Sequence, residues 1–467
     1  MADRIETDFL GEKALPDTAY YGVQTLRGKE NFYITGIPMS LEPNFVKAFG
    51  YVKKAAALAN RDLGVLDAKI ANAIAGACDR LIAGEMREQF VTDFIQGGAG
   101  TSTNMNANEV IANLALERMG HRKGEYQYCS PNDHVNFGQS TNDIYPTAFR
   151  LALILRLETY MESLRRLQAA FYAKAKEFDR VLKMGRTHLQ DAVPMSLGQE
   201  FHGWGTTIGE EVERIGEVRA LLHEINLGAT AIGTTVTAAP GYPELATRHL
   251  SELTGCKFIL AGDLVEATSD TGAYVLLSGF LKRTSAKLTK ICNDIRLLAS
   301  GPRCGFNEIN LPQMQPGSSI MPGKVNPVIP EVVNQVGFLV IGLDLTVTLA
   351  ASAGQLQLNV MEPVITFALF TSIATMEHAV DSLRVNCIQG ITANAEHTRD
   401  MVLNSLGIVT VLKPSLGYKQ CAEIAREGYE TGKSLHDIVV KERKLMSQEK
   451  WDEVFSFENL INPKFER

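Results

Sequence analysis

The placing of proline constrains this chain more than any other feature. Five tracts free of its 17 prolines carry helical periodicity, between Pro146 and Pro194, Pro194 and Pro240, Pro243 and Pro302, Pro330 and Pro363, and Pro363 and Pro414. A proline inside a helix removes a donor and clashes with the preceding turn, so long helices are confined to such tracts. Apolar residues recur in them at steps of three and four. In the third tract these are Tyr274, Leu277, Leu281, Thr284, Leu288, Ile291, Ile295 and Leu298. In the first they are Leu153, Leu157, Tyr160, Leu164, Leu167, Phe171 and Phe178, with Lys174 the one polar intrusion. Stripes of this kind predict long helices packed lengthwise, and the five tracts predict a bundle of about five helices as a central domain.

The flanks read differently. Residues 1–140 open with proline and glycine punctuation (Pro16, Gly22, Gly28, Gly36, Pro38) and then show helical patterns near 43–84 and 105–120. From 396 onward the amphipathic segments are shorter, at 418–430 and 446–456. The expectation is a mostly α chain of three domains, 1–140, 141–395 and 396–467.

Charge and cysteine usage exclude several function classes. The net charge is -7, with 46 basic and 53 acidic residues interspersed, so there is no basic face for nucleic acid. The start, Met-Ala-Asp-Arg-Ile-Glu, is charged from its third residue and does not read as a secretory signal. Seven cysteines without a C-x-x-C fit reduced thiols and a cytoplasmic location, and nine histidines without an H-x-x-x-H pair predict no metal site. From Val332 to Ala353 the one charge is Asp344. No Lys or Arg flanks that segment closely, so it reads as a helix buried in a large core, often an oligomer's, and not as a membrane span.

Three polar clusters stand at the edges of the predicted long helices. Six prolines fall between 301 and 330 with Gly301, Gly305, Gly317 and Gly323 among them, which makes this stretch a long loop with too much apolar content for a linker. Within it Lys324 suits a carboxylate, Asn326 adds a directional donor, and Ser318 and Ser319 are nucleophile or base candidates, although no G-x-S-x-G surrounds them. The second cluster is Gly185 to Asp191, where His188 is either structural or catalytic. The third is Gly97 to Asn106, joined by Gln139 to Asp143. Glycines followed by hydroxyls at a helix start form either an anion nest or ordinary helix caps, and no phosphate-loop pattern is present.

Gly317-Ser318-Ser319-Ile320-Met321-Pro322-Gly323-Lys324-Val325-Asn326-Pro327 resembles the sequence motif of the aspartase/fumarase superfamily, and the likeness runs the length of the chain. Ala19 to Thr25 is similar to both branches. Gly97 to Asn108, Pro131 to Asn136, Ser140 to Asp143 and Asn359 to Pro363 resemble the aspartase branch, since fumarases typically carry two serines before the same Asn at 142 and an aromatic-Arg pair at Met361-Glu362. The resemblance implies a homotetramer with a twenty-helix core and active sites shared between three subunits. It implies a carbon–nitrogen lyase that converts L-aspartate reversibly to fumarate and ammonium by anti-elimination, with no organic cofactor. The site must stabilise a dianionic aci-carboxylate intermediate. By the same resemblance Ser318 is the base for the C3 proton. Ser319, Thr101, Ser140 and Thr141 surround the β-carboxylate, and Lys324 and Asn326 hold the α-carboxylate. Thr187, His188 and Asn142 lie near the amine, with His188 oriented by Glu331. The alternatives are a fumarate hydratase and a catalytically silent structural homologue.

One stretch departs from the pattern. Where the family continues Gly-Leu-Asn after Thr234, this chain has Thr235-Val236-Thr237. A β-branched residue resists positive φ, so the backbone there is expected to differ.

Overall fold

Each of the five tracts named above holds one long helix. The computed structural model describes residues 3–461. A hairpin of β1 (Asp3–Asp8) and β2 (Gly11–Pro16) leads into α1 (Val23–Asn31), α2 (Pro43–Asp62), α3 (Ala68–Ile82) and α4 (Thr101–Arg118). Then come α5 (Thr141–Glu177), the hairpin β3 (Leu182–Thr187) and β4 (Gln190–Ser196), α6 (Leu197–Leu221), α7 (Tyr242–Thr254), α8 (Leu264–Ser269) and α9 (Gly272–Leu298). The loop that follows ends at α10 (Val328–Ser352) and α11 (Glu362–Asn386), before the shorter α12 (Ala395–Asn404), α13 (Val409–Thr431) and α14 (Gln448–Val454).

Every apolar position named in the two stripes is buried. Lys174 is buried with them because its ammonium donates to Glu177 Oε2 and to the Ile391 carbonyl, both at 2.8 Å. Helix α5 starts ahead of Pro146, which has no N–H to offer the Asn142 carbonyl one turn back. Asn226 Nδ2 donates to that carbonyl instead, at 3.0 Å.

The segments gather into two units. The first comprises residues up to Glu162, 213–285 and 338–377. In it Phe149 lies 4.7 Å from Tyr274 and 5.4 Å from Phe370 between ring centroids, and Asp344 accepts from Ser278 Oγ at 2.8 Å and Lys282 Nζ at 2.6 Å. Helices α5, α9, α10 and α11 are packed by these contacts. The second unit comprises 163–212, 286–337 and the residues from His378 onward. In it Phe171 meets Phe201 and Trp204, joining α5 to α6, and Asn334 Nδ2 donates to Asn293 Oδ1 at 2.7 Å, joining α10 to α9. A smaller core of Val402, Ile408, Leu412, Ile424, Ile438 and Trp451 packs around Leu182 and Met184 of β3.

Helix α10 is the charge-poor helix of the sequence, and the chain alone covers only part of it. Phe338, Leu345 and Leu349 are 60%, 60% and 61% exposed. Both α10 and the span Glu362–Gly390 are long and apolar enough to cross a membrane by length and composition. The buried windows of α10 and that span are 33% and 61%, so α11 is largely a core helix while α10 presents an uncovered apolar face.

Candidate active site

At the start of α4 the chain takes three left-handed residues in succession, Gly98 (φ +88°), Ala99 (+55°) and Gly100 (+93°). Gly100 is the N-cap and has no side chain of its own to cap the helix, while Gln96 Oε1 accepts from Thr103 N in the first turn at 3.1 Å. Thr101 is exposed, and its hydroxyl donates to the Gly98 carbonyl at 2.8 Å, leaving its oxygen lone pairs free. The α4 start is therefore a nest. The α5 start is the other alternative, a capping box: Ser140 Oγ accepts from Asn142 N at 3.2 Å and Asp143 Oδ1 accepts from Ser140 N at 3.0 Å. The two starts are tied together by Asn104 Nδ2, which donates to Thr141 Oγ1 at 3.1 Å. The sequence left nest and cap open for both, and each occurs once.

Behind this corner lie two groups that sequence reasoning did not single out. Lys53 is fully buried and donates to Asn136 Oδ1 and Gln139 Oε1, both at 2.9 Å. Burial pushes its ammonium down to about 7. Asp143 is also fully buried and accepts from Gly228 N at 3.1 Å and Thr230 N at 3.0 Å besides Ser140 N. Desolvation pushes its carboxyl up to about 7, against those backbone bonds and the charge of Lys53. Lys53 had one legible sign, a lysine amid Val52 and Ala55 to Ala57 on the apolar face of α2.

The next segment answers the departure at Thr235. Thr230, Thr235 and Thr237 all stand in the left-handed region, at φ +61°, +57° and +77°. The expectation of a changed backbone is corrected to this extent: the threonines adopt positive φ in spite of their branching, which costs of order 1–3 kcal/mol at each.

In the second unit Thr187 and His188 sit at the tip of the β3–β4 hairpin and are exposed. Thr187 pairs with Gln190, and the two loop residues His188 (φ +55°) and Leu189 (φ +63°) are both left-handed, the type I′ turn that usually takes Asn-Gly. A histidine and a leucine held there mark strain at a place where a side chain is being aimed outward. The cluster is thus a hairpin and not the edge of a long helix. Its base is rigid: buried Glu308 pairs with Arg186 and, at 3.0 Å, with buried Lys183, which also reaches Glu200. Asp191 Oδ2 accepts from Ser405 Oγ at 2.6 Å.

The loop between α9 and α10 closes on itself. Gly317 N donates to the Lys324 carbonyl at 2.8 Å, and Asn326 Nδ2 donates to the Gly317 carbonyl at 2.7 Å. A Cβ on Gly317 would lie 2.6 Å from the Lys324 oxygen, so this closure requires glycine. Ser318 Oγ accepts from the backbone N–H of Ile320 (3.2 Å) and Met321 (3.1 Å). Ser319 and Lys324 are exposed. One turn into α10, Glu331 Oε1 lies 3.9 Å from Arg296 Nη2, and among the described residues no hydrogen bond joins Glu331 to His188 within the chain. Ser318, Ser319, Lys324 and Asn326 are thus brought together in one loop, Thr101, Ser140, Thr141 and Asn142 at one corner, and Thr187 and His188 on one hairpin.

Residues 11–342 match a family model described as Lyase, and residues 408–462 match one described as Fumarase C C-terminus. The chain is 57% identical over 464 residues to an aspartate ammonia-lyase from Pseudomonas aeruginosa, covering 99% of this chain and 98% of that one. Among solved structures it resembles a fumarate lyase:delta crystallin from Brucella melitensis (TM-score 0.95, 50% identity, 98% of this chain and 99% of that one). It also resembles a class II fumarase from Schistosoma mansoni, with TM-score 0.92 but 34% identity, over 99% of this chain and 100% of that one.

Proposed function

Because the chain belongs to the aspartase/fumarase lyase superfamily, we propose that its three polar clusters are the parts of one aspartate ammonia-lyase site, completed when three subunits of a homotetramer meet. The enzyme is a carbon–nitrogen lyase acting on L-aspartate. Ser318 carries the reading. Its oxygen receives two backbone N–H bonds inside a loop closed by hydrogen bonds of Gly317 to Lys324 and of Asn326 to Gly317, which favours the alkoxide over the hydroxyl. That alkoxide takes the C3 proton. The electron pair of the broken C–H bond passes into the adjacent β-carboxylate as the aci-carboxylate dianion, then returns to form the C2–C3 double bond as the C–N bond breaks.

The dianion needs donors where charge develops, and one preorganised donor is worth about 10²–10³ in rate. Ser319, Ser140 and Thr141 supply them beside the positive end of α4, and Thr101 joins them when its hydroxyl turns from the Gly98 carbonyl to the substrate. Lys324 holds the α-carboxylate. Asn326 keeps one amide hydrogen on the Gly317 carbonyl and offers its second to the same carboxylate. Thr187, His188 and Asn142 meet the amine, and Glu331 of another subunit orients His188. No metal or organic cofactor enters the scheme. The uncovered face of α10 supports the tetramer, the residue ranges 1–140, 141–395 and 396–467 are its three domains, and the protein is cytoplasmic.

The test is fumarate's ultraviolet absorbance after incubation with L-aspartate and, separately, L-malate. Fumarate should form much faster from aspartate. Faster turnover of malate would make the protein a fumarate hydratase, turnover of neither would make it a silent homologue, and an active monomer by light scattering would refute the shared site.

A further inference from the structure

Behind Thr141 runs a chain of side-chain amides whose hydrogen bonds all point one way, and the reaction scheme gives it no part. It starts at buried Lys53 of α2, whose nitrogen donates to Asn136 Oδ1 and Gln139 Oε1, both at 2.9 Å. Charged or neutral, that nitrogen carries a hydrogen for each. The amide nitrogen of Gln139 is taken up by the carbonyls of Val135 (3.0 Å) and Phe137 (3.3 Å), and that of Asn136 by the Gln139 carbonyl at 3.2 Å. Both amides must therefore turn their oxygens to the lysine.

Asn136 Oδ1 collects two more donors from buried residues of α4, Asn104 Nδ2 and Asn108 Nδ2, each at 3.2 Å. An Asn104 amide turned the other way would set oxygen against oxygen. Its NH2 is thus held toward Asn136, and the second hydrogen of that group goes to Thr141 Oγ1 at 3.1 Å. This direction is kept although it leaves the buried Oδ1 atoms of Asn104 and Asn108 without a hydrogen bond from any described residue, which is costly. A threonine hydroxyl has one hydrogen, and with Asn104 donating to its oxygen that hydrogen must turn away from α4.

We propose that Asn104, its direction set by Lys53 through Asn136, is a positioning residue that turns the Thr141 hydroxyl outward as a fixed donor to the aci-carboxylate. This rests on the reading of the site given above. A donor aligned before the charge develops needs no reorganisation during the reaction, and a hydroxyl that accepts a bond on its oxygen is also the stronger donor. The demand peaks in the dianion, so the benefit falls on kcat more than on KM for aspartate.

A double-mutant cycle in the deamination of aspartate tests it. Thr141→Val removes the hydroxyl at nearly constant shape. With Thr141 in place, Asn104→Leu should lower kcat about fivefold or more while KM stays within about twofold. In the Thr141→Val background the same substitution should change kcat by less than about twofold, because no hydroxyl is left to aim. A merely structural role, in which Asn104 only packs α4 against α5, would lower kcat by the same factor in both backgrounds. That result overturns the proposal, as does an unchanged kcat, or a rise in KM alone, with Thr141 in place. If Asn104→Leu does not fold, the smaller Asn104→Ala makes the same comparison and is read in the same way. Wild-type protein that does not deaminate aspartate would refute the functional reading beneath, whereas an active wild type with equal losses in both backgrounds would refute this inference alone.

Discussion

Gly100→Ala is the substitution whose cost the structure specifies most fully. At φ +93° an alanine is strained by about 1–2 kcal/mol. Its Cβ would also lie 2.3 Å from Tyr145 Cδ2 and 2.5 Å from Cε2. Tyr145 cannot swing aside: it is fully buried, edge-on to Phe45 at 5.3 Å, and its hydroxyl donates to Thr366 Oγ1 at 3.1 Å. Forcing a methyl into such a place costs about 1–3 kcal/mol more, for about 2–5 kcal/mol in all.

Gly98→Ala is the control. It has nearly the same φ, +88°, but its Cβ would meet nothing nearer than Thr101 at 3.8 Å, so the strain of about 1–2 kcal/mol stands alone. Urea unfolding at one fixed protein concentration gives both losses, the fixed concentration being needed because association contributes to the stability of an oligomer. Gly100→Ala should be the less stable by about 1–3 kcal/mol. It should also raise KM for aspartate more than Gly98→Ala does, because Tyr145 lies one turn beyond Thr141 and the clash drives the starts of α4 and α5 apart. Equal losses of stability and equal KM values in the two variants would show that Tyr145 yields and that the reasoning is wrong.

Ser318→Ala should lower kcat by several orders of magnitude with an unchanged circular dichroism spectrum, since the residue lies in an irregular loop; near-normal turnover would pass the role of base to Ser319. Lys324→Met should raise KM for aspartate at least about tenfold, equivalent to about 1.4 kcal/mol, and Lys324→Arg should also impair binding because a planar fork does not replace a compact ammonium; normal KM in both would place the lysine away from substrate. Glu308→Gln should cost about 3–5 kcal/mol in urea unfolding, as it leaves buried Lys183 and Arg186 without their shared carboxylate; a loss below about 1 kcal/mol would mean that water reaches the network. Burial raises the Glu362 carboxyl from its ordinary 4.5 to about 8, so the folded protein binds the extra proton between those values and loses stability as pH rises from 4.5 to 8; Glu362→Gln should flatten that fall, and an unaltered pH profile would refute the shift.

Periodicity made the five long helices legible, because a helix that buries one stripe must repeat every three to four residues whatever it packs against. The β3–β4 hairpin escaped that reading for a reason visible at its tip: His188-Leu189 lacks the Asn or Gly that announces a type I′ turn, so the residues aimed outward are those that conceal the turn. Lys53 and Asp143 escaped because burial is decided by distant segments: the apolar neighbours Val52 and Ala55 to Ala57 that mark Lys53 also flank Lys54. The nest at Gly98 to Gly100 and the cap at Ser140 were both foreseen as possibilities. What separated them was Tyr145, whose ring excludes a side chain at position 100, and that contact joins residues far apart in sequence. The same limit governs the site as a whole. Single-chain periodicity predicts a buried α10, yet Phe338, Leu345 and Leu349 stay exposed in one chain. That mismatch between composition and burial points to further copies of the chain. In the assembly we propose, His188 and Glu331 pair between subunits, a pairing that no spacing along one chain encodes.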